Sequence, residues 1–260
     1  MQKAASAGAL RRLRRQRLLA GAAVGSCIVA NVWTVSLAAP EPGSEGSLTS
    51  MRRVSTEVGL LSRPAAASRA SEQAVVERGD GKLTPVAVPA GVLKSAPQGR
   101  TVRISIETEG GLPVAAEDFA AAVATTLSDA RGWQGVDKVR FVAVSPAALT
   151  KGAKVDVQIA LASPETTDRL CAPLRTRGQV SCHSGGRAVI NLRRWQLGAE
   201  AYGADLAGYR TYVVNHEVGH GLGHGHAYCA GKGEVAPVMM QQTYGLKGCS
   251  AWPWPSPKPA

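Results

Sequence analysis

His216, Glu217, His220, Gly223 and His226 stand in the spacing H-E-x-x-H-x-x-G-x-x-H. Residues four apart on an α-helix lie one above the other, about 6 Å apart along the axis, so His216 and His220 can both reach one metal ion at roughly 2.0–2.1 Å. A residue ten positions beyond His216 would sit about 15 Å further along a straight helix, so His226 can join them only if the chain turns back. Gly223 stands where that turn would be made, because glycine takes positive φ readily and commonly ends helices. Three imidazoles leave a fourth position for water, the arrangement of a catalytic rather than a structural Zn2+ site. Glu217 points about 100° round the helix from His216, at the edge of the metal face. There it can hold the zinc-bound water as general base and then pass the proton to a leaving amine, which is the chemistry of amide hydrolysis.

His224 is the rival third ligand, since it follows His220 by four residues. A continued helix would carry it too far from a metal centred between His216 and His220, and Gly221, Gly223 and Gly225 argue against continuation, so His226 is preferred. The helix that must carry the first two ligands begins near Asp205, a suitable N-cap. It sets Tyr209, Val213, His216 and His220 on one stripe and Val214, Val218 and Leu222 on another, the pattern of a buried helix. Gly219 and Gly221 cost such a helix roughly 1 kcal/mol each against alanine, which implies close backbone packing around the site.

The eleven-residue stretch resembles the metzincin clan of zinc endopeptidases. That resemblance implies an apolar methionine turn beneath the metal, for which Met239 in Val238-Met239-Met240 is the first candidate and Met240 the second. Better-known members place a tyrosine two residues after the turn methionine, where this chain has Gln241 or Gln242; Tyr244 is the nearest tyrosine, for which packing is preferred over assistance to a transition-state oxyanion. More closely, the run from Tyr212 to His226, with Cys229, Ala236 to Gln242 and Gly248-Cys249, resembles a domain of secreted actinobacterial proteins catalogued as of unknown function. Asp129-Ala130-Arg131-Gly132-Trp133 and Asp168-Arg169-Leu170-Cys171 also fit it, and the likeness covers roughly residues 85 to 255.

The elements that must position these residues follow from periodicity. Val102, Ile104 and Ile106 alternate as a strand, and Ala115 to Arg131 carries Phe119, Val123 and Leu127 at i+4 spacing as a long helix. Strands are expected over 139–144, 155–161 and 188–192, with a disulfide-closed loop near the cleft within 164–186. The expected fold is α+β and metzincin-like: a twisted mixed sheet with a long helix and an active-site helix, followed by a small methionine-turn subdomain.

The chain has 260 residues, room for one globular unit beyond a leader and a linker. Arg11 to Arg17 precede an apolar run from Leu18 to Ala39, which reads as an export signal or a single membrane anchor, so residues 1–39 are assigned to one or the other. Residues 40–99 are rich in Ala, Ser, Pro and Gly and read as a flexible linker, with a propeptide as the alternative. Residues 100–257 are the expected peptidase domain. The formal charge of +11 overstates the basicity of that exported part. Six of the 30 Lys and Arg lie before residue 18, which leaves 24 against 19 acidic residues, a surplus of five. No basic stripe with interleaved aromatics suggests nucleic acid.

Setting Cys27 aside, Cys171, Cys182, Cys229 and Cys249 form an even set in an exported chain, and two disulfides are expected. Three pairings are possible; Cys171 with Cys182 and Cys229 with Cys249 are preferred because each closes a local loop. The reading that follows is a secreted or surface-anchored monomeric zinc metallopeptidase acting on a polypeptide or cell-envelope substrate. The alternatives are a zinc-stabilised envelope-binding module without catalysis and a zinc amidase acting on peptidoglycan.

Overall fold

Alternating apolar residues set the central strand. In the computed structural model, which describes residues 74–259, Val102, Ile104 and Ile106 line one face of β2 (Arg100–Glu109) and are fully buried. β1 (Leu83–Val86) runs antiparallel to the second half of β2, and β3 (Val139–Ala143) runs parallel to its first half on the same edge. On the opposite edge the sheet continues through β4 (Val157–Ala162) and β6 (Arg187–Asn191), both parallel to β2. It ends at β5 (Cys182–Ser184), antiparallel to β6. The result is a twisted mixed sheet within an α+β fold.

Two helices cover the Ile104 face. α1 (Ala116–Ser128) brings Phe119, Val123 and Leu127 against Ile106 and Ile159, and α6 (Leu206–Leu222) adds Val213, Val214 and Val218 to the same core. The acidic first turn of α1, Glu117 and Asp118, suits the positive end of the helix. Three short helices fill connections: α2 (Trp133–Val136), α3 (Pro146–Leu149) and α5 (Leu192–Leu197). α4 (Pro164–Cys171) packs on the other face of the sheet, where Cys171 and Cys182 join Ala162 and Val189 in a second apolar cluster. Its start is fixed by Ser163, whose hydroxyl accepts from Thr166 N, and by Pro164 at the first helical position. Beyond α6 the described chain has only a 3₁₀ turn, Gln242–Tyr244, and an isolated bridge between Val235 and Ser250.

The disulfides are Cys171–Cys182 and Cys229–Cys249, as preferred from loop closure. Two sequence expectations need correction. The linker does not extend to residue 99: β1 lies within it, and Val86, Val88 and Leu93 pack on the core. A four-residue edge strand containing Pro85 offers no apolar period, and proline is tolerated there because an edge strand need not donate on its outer side. Four strands rather than three separate α1 from α6, because β5 is only three residues long and too short to register as alternation. The leader or anchor expected over residues 1–39 lies outside the described residues; among those described, no helix is long and apolar enough to cross a membrane.

Glu109, the last residue of β2, ties that strand to the start of α4 and to the turn before β1. Only 3% exposed, its carboxylate accepts hydrogen bonds from Ser163 N at 2.6 Å, Thr166 Oγ1 at 2.8 Å and Gly81 N at 2.9 Å. Burial works to raise its pKa, but the hydrogen bonds from Ser163, Thr166 and Gly81 outweigh it and hold the carboxyl below the ordinary glutamate value. Replacing Glu109 with Ala is expected to lower the unfolding free energy by about 2–3 kcal/mol at neutral pH, measured by urea titration. A depressed carboxylate stabilises above its ordinary pKa and ceases to as the pH falls through the folded value, so the gap between variant and parent should close on acidification.

Candidate metal centre

α6 is built to present its last turns to the site. Asp205 caps it by accepting from Gly208 N at 2.8 Å. The other end closes at Gly223, which takes φ 105°. There Gly223 N donates to His220 O and His224 N donates to Gly219 O, each at 3.0 Å. This pair of bonds is a Schellman stop, and it reverses the chain so that His226 returns towards the helix. The ligand atoms of His216, His220 and His226 all lie within 4.8 Å of one another, and the Nε2 atoms of His220 and His226 are 3.2 Å apart. A tetrahedral centre with metal–nitrogen bonds of roughly 2.0–2.1 Å sets its nitrogens about 3.3 Å apart, so this cluster fits a metal ion with small side-chain movements.

The rings are oriented for that purpose. His216 Nδ1 is 2.9 Å from Val238 O, and His220 Nδ1 is 2.8 Å from His224 O. Each carbonyl engages one ring nitrogen as N–H and leaves Nε2 free as a ligand. Burial pushes the pKa of His216 down to about 4 and lowers that of His220, which keeps both rings neutral as metal ligands must be. Sets of imidazoles of this kind hold zinc and neighbouring transition metals.

His224 is excluded from the cluster. Its Nε2 lies 2.7 Å from Asp137 Oδ2, and its ring stacks on Trp133 at 4.3 Å between centroids. Its backbone carbonyl, not its side chain, serves the site by holding His220. Trp133 in turn donates from Nε1 to Asn215 O at 2.9 Å, and Asn215 Nδ2 donates to Pro253 O. Arg131 lies 4.1 Å over the ring of Trp254, so the Asp129 to Trp133 segment and the C-terminal Trp-Pro run brace the metal-bearing turns of α6 from behind.

Met239 is buried beneath the same turns. A Cβ at Gly219 would come within 2.5 Å of Met239 Sδ and 2.6 Å of Trp133, so only glycine allows this approach. On the sheet side a Cβ at Gly221 would meet Val157 at 2.9 Å. The segment after Met239 is fixed by a network that motif reading does not reveal. The buried Gln242 side chain accepts from Tyr202 OH at 2.9 Å and donates to Pro237 O and Trp252 O. Tyr212 OH donates to Met240 O and accepts from Gln242 N. Burial raises the pKa of both tyrosines, so they remain hydroxyl donors. Gln242 is structural, while Gln241 borders the open cleft; Tyr244, expected as a packing residue, is instead 62% exposed and borders the cleft as well.

That cleft, about 460 Å³, has His216, Glu217, His220 and His226 on its floor. One wall is formed by residues 174–183 and the other by 241–244. Glu217 is only 5% exposed, and burial alone pushes its carboxyl up to about 8. A cation held by the histidines would oppose this shift, because a nearby positive charge favours the carboxylate. His183 on β5 also lines the cleft and was not singled out by spacing. Its Nε2 is buried without a hydrogen-bond partner among the described residues, facing Gly221, and burial lowers its pKa.

Together these features define a disulfide-braced α+β domain with an open cleft and a three-histidine cluster able to hold a metal ion. Residues 71–254 match the family described as "Protein of unknown function (DUF3152)", and the chain belongs to that family. No curated protein and no solved structure matches the chain.

Substituting His226 with Ala is expected to abolish stoichiometric metal binding at neutral pH, measured by metal analysis after dialysis. Substituting His224 with Ala is expected to retain the metal, because it removes only the Asp137 and Trp133 contacts and costs about 1 kcal/mol of stability.

Proposed function

We propose that this protein is a zinc-dependent metallopeptidase that acts outside the cytoplasmic membrane, with His216, His220 and His226 as the metal ligands and Glu217 as general base. The observation that carries this reading is the convergence of three imidazoles beside a buried carboxylate on the floor of an open cleft. A purely structural metal centre needs neither the carboxylate nor the opening. The burial of Met239 under the histidines supports the likeness to the metzincin clan, with Met239 as its methionine turn.

When bound, zinc supplies a positive charge that polarises the scissile carbonyl and makes water easier to deprotonate. Glu217 takes a proton from the attacking water and delivers it to the departing amine, so each cut consumes one water and releases a carboxylate and an amine. Val238 O and His224 O hold the rings of His216 and His220 in place throughout. Among the described residues β5 ends the sheet with its outer edge unpaired, and Ser181, Cys182 and His183 line the cleft. An extended substrate can add there as a further strand, exchanging main-chain hydrogen bonds along the edge. The two disulfides suit an oxidising compartment, in keeping with export directed by the basic and apolar amino terminus.

Replacing Glu217 with Ala is expected to leave zinc bound and to reduce peptide hydrolysis by at least about 100-fold, measured on a mixed peptide library with metal content determined in parallel. Undiminished hydrolysis by that variant would remove Glu217 from the mechanism. Release of fragments from purified cell wall, with no cut in any peptide, would move the substrate to an envelope amide.

A further inference from the structure

The wall of the cleft opposite Tyr244 is a loop whose construction the hydrolytic chemistry does not require. Residues 172–181 connect α4 to β5, and the Cys171–Cys182 disulfide closes the loop at its base. Asp168 in the middle of α4 fixes it from inside, accepting hydrogen bonds from the Thr176 hydroxyl and from Gly178 N, and Thr176 and Gly178 are buried. Leu174 N donates to Cys171 O, and Gln179 N donates to Thr176 O. The loop is thus pinned at both ends and at its middle.

On this rigid frame two side chains are held outward. Leu174 is 54% exposed, Arg175 is exposed, and both line the cleft. A single exposed leucine or arginine needs no explanation. Their placement side by side on a clamped loop at the rim of the proposed catalytic cleft does. Arg175 has no ion pair among the described residues, and Glu217 is the one acidic residue that lines the cleft with it. The rim therefore carries an uncompensated guanidinium on a restrained backbone beside an apolar contact, and no acid competes for it there.

We infer that this loop is the substrate-recognition wall of the cleft, with Arg175 receiving a carboxylate of the bound peptide and Leu174 packing against its neighbouring apolar atoms. The inference rests on the peptidase reading and adds a substrate class to it. A guanidinium binds a carboxylate through two parallel N–H donors, which favours it over the neutral amide of the same shape. Because the loop backbone is already restrained, the ordering cost of binding is confined to these side chains. The carboxylate can belong to an acidic side chain near the scissile bond or to the carboxyl terminus of a short peptide.

The test compares the full-length zinc-loaded protein with its Arg175→Glu and Arg175→Gln variants on peptides, compared in pairs, that differ only by Glu, Gln, Lys or Arg at each position. Each pair is made with both free and amidated carboxyl termini. The parent is expected to prefer the carboxylate by about 10- to 100-fold in kcat/KM at one position. Arg175→Gln should abolish that preference, and Arg175→Glu should reverse it in favour of Lys or Arg at the same position. A preference that follows the free terminus instead of a side chain identifies the carboxyl terminus as the source. Hydrolysis without any carboxylate preference, or a preference unchanged in both variants, overturns the inference while leaving the peptidase reading intact. Should the parent cut none of the peptides, the peptidase reading fails, and binding of the same pairs to the zinc-loaded protein, followed by calorimetry, decides the inference separately. Equal affinity for Glu and Gln peptides, or no binding of either, overturns it.

Discussion

The close approach to α6 at Gly219 is the constraint on which the rest of the site depends. Met239 and Trp133 both occupy space that any side chain at that position would need, and Val157 presses on Gly221 from the sheet side. The last two turns of α6 are therefore poor helix by composition, because each glycine gives up roughly 1 kcal/mol relative to alanine. They are held from outside instead. Asp205 fixes the start of the helix, Tyr209 and Tyr212 bury its middle, and the Schellman bonds at Gly223 fix its end. The same small residues that let Met239 and Trp133 in also let the chain reverse, and that reversal returns His226 to the two histidines on the helix.

Electrostatics in the site follow from burial rather than from charge pairing. His216 and Glu217 are neighbours in sequence, and burial disfavours the charged form of each, lowering the one pKa and raising the other. Protons therefore compete little with a metal for the His216 ring at neutral pH. Any cation bound there becomes the dominant charge of the cleft floor, and it acts on the Glu217 carboxyl in the direction opposite to burial. The pairing of the buried His216 ring with a desolvated carboxylate is what makes the floor responsive to a bound ion.

Parts of this arrangement were legible in the sequence because they depend on local spacing. The i, i+4 pair His216 and His220, the cap at Asp205, the stop at Gly223 and the i+4 row Phe119, Val123 and Leu127 each follow from helix geometry within a few residues. The central strand was readable from Val102, Ile104 and Ile106 for the same reason. Elements held by long-range contacts were not readable. β1 is an edge strand with a proline, whose only apolar function is to set Val86 against the core. β5 is three residues long and owes its existence to pairing with β6. Gln242 finds its partners Tyr202 and Tyr212 forty and thirty residues earlier in the chain. His183 reaches the cleft only because β5 places it there.

The region after α6 shows how a site wall can be made without regular structure. From His226 to Lys258 the described chain has one 3₁₀ turn and an isolated bridge, so its backbone groups must find partners individually. Gln242 satisfies three of them, at Pro237 O, Trp252 O and Trp252 N, while Tyr212 takes Met240 O and Gln242 N. The Cys229–Cys249 bridge closes the segment that contains Met239, and Cys171–Cys182 closes the facing wall. Both walls of the cleft are thus loops restrained by a covalent cross-link and buried side-chain hydrogen bonds, while the metal ligands sit on a helix and its cap. The 241–244 wall is tied to α6 through Tyr212, whereas the 172–181 loop is anchored on Asp168 of α4, so the selectivity of that loop is separable from the chemistry of the floor.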